Sequence, residues 1–62
     1  MRSKIEVAEV PGLGHITATI KYVVQADGTE RNRMLGEARY ADGRRVEEAH
    51  LAKVGAVFRA YV

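Results

Sequence analysis

Ala26-Asp27-Gly28-Thr29 and Ala41-Asp42-Gly43-Arg44 are two copies of one turn signal, and their reading decides the fold. Asp-Gly between strand-like stretches marks a hairpin strongly. Glycine accepts positive φ at no steric cost, and aspartate bonds back to its own turn. The Arg-rich segment between them, Arg31 to Arg45, therefore reads as a strand with turns, displaying charge on a sheet face.

Upstream of the first turn, Ile16, Ala18, Ile20, Tyr22 and Val24 alternate with His15, Thr17, Thr19, Lys21, Val23 and Gln25. This period of two, rich in β-branched residues, predicts a long strand with one buried face. Lys4 to Val10 reads as a shorter strand with Ile5 and Val7 turned inward. Pro11-Gly12-Leu13-Gly14 predicts a hairpin turn between the two.

The first Asp-Gly turn and the apolar pattern together select a register. A two-residue loop would place Tyr22 opposite Arg33 and Val24 opposite Arg31, burying arginine. A three-residue loop of Asp27, Gly28 and Thr29 instead pairs Tyr22 with Met34, Ile20 with Gly36, Ala18 with Ala38 and Ile16 with Tyr40. One residue of slip exchanges the two faces of a strand, so the second register is expected, with Arg31, Arg33, Leu35, Glu37 and Arg39 outward. Gly28 then takes the left-handed conformation beside a bulge.

A similar loop at the second turn sets Tyr40 opposite Val46, and a fourth strand there would be short. From about Glu47 the period turns helical, with Leu51, Val54, Val57, Phe58 and Tyr61 on one side. Glu47 and Glu48 near the start and Arg59 near the end suit the helix dipole. Asp42 is a competing helix cap, which leaves the boundary between residues 43 and 47 open. Gly55 interrupts a small-residue flank of Ala49, Ala52, Ala56 and Ala60. Close approach of another backbone, such as a second copy of this helix, accounts for it, as does simple tolerance of a poor helix former.

The expected fold class is thus α+β: an antiparallel three- to four-stranded meander with one C-terminal helix packed on one face. Its 62 residues form a single small domain, near the lower size limit for independent folding. With no cysteine, neither disulfides nor a thiolate metal site supplement the core. A hydrophobic content of 47% in so short a chain favours a homodimer. No window reaches the roughly 20 apolar residues of a membrane span, and the first nine residues lack an apolar leader, so a cytoplasmic protein is expected.

Five arginines between residues 31 and 46 face only Glu37 and Asp42, a local +3 within a chain of net +2, leaving −1 elsewhere. Arginine forks bind phosphate and carboxylate, although a solvated strand face has the same composition. Catalytic readings are weak. His15 and His50 are the only histidines, Glu47 and His50 lack a third metal ligand, Ser3 is the single serine, and Gly12-Leu13-Gly14 is too short for a phosphate loop. No enzyme activity, cofactor or metal is expected.

The outward sheet face carries the functional expectation. Lys21, Gln25, Arg31, Arg33, Leu35, Arg39, Arg44 and Arg45 are the candidate binding residues. Arginines beside hydroxyls and an amide on a rigid pleat suit contacts to phosphates and base edges, so nucleic acid is the first expected partner. In outline, a three-stranded sheet backed by one helix resembles small folds that lay strands in a DNA groove. The alternative uses Val23, Leu35 and Ala8 as an apolar centre ringed by Arg33, Arg39, Lys21 and Glu37. The chain is then a protein-interaction module or small inhibitor acting through the same face, or a self-associating one.

Overall fold

The computed structural model describes residues 1–62. Three antiparallel strands, β1 (Arg2–Val10), β2 (Gly14–Val24) and β3 (Glu30–Tyr40), form a meander in the order β1-β2-β3. A single 3₁₀ turn (Glu48–His50) leads into helix α1 (Leu51–Phe58), which packs on one face of the sheet. This is the α+β meander the pattern predicts, with three strands. The segment after the second turn adds only an isolated bridge, Arg39 to Arg45.

The two Asp-Gly turns adopt one geometry. Gln25 N–H donates to the Thr29 carbonyl at 2.8 Å and Tyr40 N–H to the Arg44 carbonyl at 2.8 Å, so the loops are Ala26–Gly28 and Ala41–Gly43. Gly28 and Gly43 sit at φ of 87° and 91°. In each, the aspartate Oδ1 accepts the backbone N–H two residues on, from Thr29 and from Arg44, at 3.0 Å. Asp42 is therefore a turn residue and caps no helix. Tyr40 closes on Arg44 and Ala38 on Val46, which corrects the expected Tyr40–Val46 pair by two positions.

These tight turns conflict with the apolar register, and β3 absorbs the conflict. At the far end the expected pairs hold: Ile16 with Tyr40, Ala18 with Ala38, Thr19 with Glu37. Near the turn the pairs are Val24 with Glu30 and Val23 with Arg31, so β3 has two residues to spare. One is lost between Thr19 and Ile20 at Gly36, the other between Lys21 and Val23 around Asn32. Asn32 lies at φ 54°, a left-handed conformation that asparagine tolerates better than most residues. A Cβ on Gly36 would stand 3.3 Å from the Thr19 carbonyl, so that bulge favours glycine.

Each bulge exchanges the faces of β3. Between them Leu35 pairs with Ile20 on the helix side, Met34 pairs with Lys21 on the open side, and Arg33 returns to the helix side. The expected pairs Tyr22–Met34 and Ile20–Gly36 are therefore displaced by one position. Arg33 and Leu35 leave the outward row to which the sequence pattern assigned them.

A second correction concerns β1. The Pro11-Gly12 turn, with Leu13 N–H bonded to the Val10 carbonyl at 2.9 Å and Gly12 at φ 83°, pairs Val10 with Gly14. That register sets Ala8 beside Ile16 and Glu6 beside Ala18, leaving Ile5 and Val7 on the open face, 70% and 64% exposed. The core comprises Val10, Ile16, Ala18, Ile20, Ala38, Val46, Val54 and Phe58. Val57 and Tyr61, expected inward, are exposed.

Helix α1 ends at Arg59 in the left-handed conformation, with Ala60 N–H bonded to the Gly55 carbonyl at 2.9 Å. The tail then runs along β3: Leu35 N–H donates to the Tyr61 carbonyl at 2.7 Å and Tyr61 N–H to the Arg33 carbonyl at 2.8 Å. The backbone that approaches Gly55 is thus the chain's own tail. An alanine Cβ there would stand 2.8 Å from the Ala60 carbonyl and 2.6 Å from Val62 Cγ2. The valine can swing aside, but the carbonyl cannot move without opening the helix cap. Gly55→Ala is expected to lower the melting temperature despite a helix-propensity gain of about 1 kcal/mol, and to speed exchange of the Leu35 and Tyr61 amides. Unchanged exchange at both amides would refute this reading of Gly55.

Candidate interaction face

The helix side of the sheet holds an ionic network beyond the end of α1. Arg33 donates to Glu6 at 2.7 Å and to Glu30 at 2.6 Å, and Lys4 meets Glu30 at 2.6 Å and Glu6 at 3.2 Å. The other Arg33 contacts are backbone: Nη2 donates to the Phe58 carbonyl at 2.8 Å and Nε to the Arg59 carbonyl at 3.4 Å. A guanidinium at a helix C-terminus satisfies carbonyls that have no intrahelical partner and meets the negative end of the dipole. Lys4 also stands 5.1 Å from the Tyr22 ring centroid. Arg33 is therefore a structural tie between β1, β3 and α1.

The network makes stability depend on acid. The Arg33 hydrogen bond holds the Glu6 carboxyl below its ordinary value of 4.5, and the Lys4 hydrogen bond, followed by that of Arg33, does the same for Glu30. A folded-state value below the unfolded one gives stabilisation that is complete above the ordinary carboxylate range. It is lost as the pH falls through the depressed value. The melting temperature is expected to fall on acidification into that range, and less steeply in Arg33→Met than in the parent. Parallel curves would show that the pair does not couple to folding.

The open face is built by the other half of the alternation. Reading across the strands, Val7, Thr17 and Arg39 form one row, Ile5, Thr19 and Glu37 the next, then Ser3, Lys21 and Met34, and finally Val23 with Arg31. Ile5, Val7, Val23 and Met34 are all exposed. Arg39 bonds Glu37 through Nε and the Gly43 carbonyl through Nη1 at 2.7 Å. Lys21 and Arg31 form no ion pair.

Of the eight residues singled out by sequence, Lys21, Arg31 and Arg39 lie on this face. Arg33 and Leu35 lie on the opposite one. Gln25 belongs to the first turn, where its Oε1 accepts from Thr29 Oγ1 at 3.3 Å. Arg44 is tied to Asp42 at 2.7 Å and lies 5.1 Å from the Tyr40 ring, while Arg45 is exposed at the outer edge of β3. The sequence reading missed Ile5, Val7 and Met34. The Pro11-Gly12 turn was the available signal for the first two, because it fixes the register of β1.

A second polar cluster lies at the start of the helical region. Tyr40 Oη bonds Glu47, which raises the tyrosine's pKa, and His50 Nε2 stands 4.0 Å from the same carboxylate. No three His, Asp or Glu side chains converge as metal ligands. No helix is long and apolar enough to cross a membrane. Protein-family models, curated proteins and solved structures give no match to this chain.

Proposed function

We propose that the chain is a non-enzymatic binding protein that takes a protein partner on the open face of its sheet. The supporting observation is the face exchange in β3. It withdraws Arg33 into the ionic network and brings Met34 out on β3, diagonal to Val23 of β2, on the face whose β1 edge carries Ile5 and Val7. What remains is a face with exposed apolar side chains on all three strands, interspersed with threonines and few free charges, which suits a protein surface better than a row of phosphates. The free cations there are Lys21 on the middle strand and Arg31 near the first turn, so the fitting partner surface is apolar with acidic groups set opposite these two.

The nucleic-acid reading keeps Lys21, Arg31 and Arg45 as phosphate contacts, and the same experiment tests it. Peptides selected from a displayed random library against the immobilised protein are expected to combine apolar and acidic residues. The double variant Val23→Glu/Met34→Glu is expected to keep the parent's circular dichroism and to bind those peptides at least about tenfold more weakly. Binding that survives in this variant contradicts the proposal. So does tight, salt-sensitive binding of a fluorescent oligonucleotide by the parent with no peptide enriched, which would favour nucleic acid.

A further inference from the structure

We infer that two copies of this chain pair through β1, antiparallel about a two-fold axis at Ile5, to make one continuous six-stranded sheet. The two sheet edges are treated differently. The outer edge of β3 is covered at both ends, by Arg45 and Val46 near Ala38 and by Tyr61 near Arg33 and Leu35. β1 is the other edge, nine residues long, and no backbone hydrogen bond outside the sheet's own ladders involves residues 2–9. A free edge of that length is a template for another strand.

The sequence of the edge selects its own copy. Residues opposite each other in an antiparallel ladder must both point their backbone groups toward the partner or both away, so only registers that pair odd with odd and even with even positions close. Three such registers centre near the middle of the strand. An axis at Lys4 opposes Lys4 to itself, and an axis at Glu6 opposes Glu6 to itself. An axis at Ile5 sets each Lys4 against the other copy's Glu6, twice, on the helix side. It also brings the two Ile5 side chains together on the open side.

Charged residues on an edge strand ordinarily blunt pairing. Here they have opposite sign and flank the axis symmetrically, so the two-fold turns repulsion into complementarity. Lys4 and Glu6 already stand 3.2 Å apart within one chain, so the ionic networks of the two copies become one. Ile5, 70% exposed in the single chain, gains an apolar neighbour on the open face, burial that a domain with a core of only eight residues gains from a partner subunit. The open faces of the copies join edge to edge. The pairing uses the strand edge and does not depend on the open face taking a protein partner.

The absence of cysteine makes the register directly testable. The parent is expected to show twice its 6.9 kDa mass in solution by light scattering. Ile5→Cys chains, whose Cα atoms would face each other across the axis within disulfide reach, are expected to cross-link on mild oxidation. Val7→Cys chains are expected not to, since each Val7 would stand opposite Ser3 of the other copy. Lys4→Glu and Glu6→Lys chains are each expected to lose the dimer alone and to regain it when mixed. A monomeric parent overturns the inference, as does a dimer in which Val7→Cys cross-links as fast as Ile5→Cys. Val23→Glu/Met34→Glu serves as the separating control: it is expected to lose peptide binding and keep the doubled mass.

Discussion

Phe58→Ala is expected to remove about half or more of the chain's stability. At about 0.05–0.15 kcal/mol per residue, a domain of 62 residues has roughly 3–9 kcal/mol of total stability. Removing a buried phenylalanine ring costs about 3–5 kcal/mol, through lost transfer free energy and the cavity left behind. Phe58 is 5% exposed, and with Val54 it supplies the fully helical part of a core whose remaining members come from the strands and Val46. Nothing else on α1 can fill the space, since Val57 points outward and Leu51 lies about two turns away at the other end of the helix. A urea midpoint and a melting temperature both far below the parent's are the expected readouts. A variant that melts within a few degrees of the parent would mean that the helix does not hold the sheet together.

Arg33→Met is expected to produce the second-largest loss, about 1–3 kcal/mol, the range for removing a charged hydrogen-bonding partner from part-buried groups. Methionine retains much of the apolar stem but leaves the Phe58 carbonyl without its side-chain donor and Glu6 with Lys4 alone. Arg31→Met, two residues away on the open face and without an ion pair, is expected to change stability little. Thermal melts of the two variants side by side give the comparison. A protein in which both positions lined one outward row would show two small and similar effects.

The elements of the fold were legible because each carries a strong local signal. The alternation through Ile16–Val24, the two Asp-Gly turns and the helical spacing of Leu51, Val54 and Phe58 all agree with one another. The assignment of faces was less legible, for a physical reason: it depends on turn closure and bulges as well as on apolar pattern. In β1 the pattern points Ile5 and Val7 inward, but the Pro11-Gly12 turn fixes the pairing that turns them out. In β3 the turn and the pattern demand registers two residues apart, and Gly36 and Asn32 reconcile them. Glycine inside a strand and an asparagine among arginines were the only sequence traces of those bulges. Gly55 carried its own trace, a poor helix former at a position where the tail crosses closely.

The candidate site inherits those difficulties. Lys21 was found because β2 keeps an unbroken alternation, and Arg31 and Arg39 because they lie on either side of the two bulges of β3, in phase with the pattern. Arg33 and Leu35 were misplaced because they lie between the bulges, where the phase is reversed. A row of arginines in the sequence thus becomes one tied guanidinium on the helix side and separated charges among apolar residues and threonines on the other.

The inward turn of Arg33 is the central claim, and a double-mutant cycle tests it most directly. Glu6→Gln, Arg33→Met and the combined variant would be compared with the parent by urea unfolding at neutral pH and moderate salt. With the guanidinium 2.7 Å from the Glu6 carboxylate, the two changes are expected to be non-additive by about 1 kcal/mol. Strict additivity would place Arg33 in water with its neighbours, contradicting the face exchange and restoring the outward arginine row.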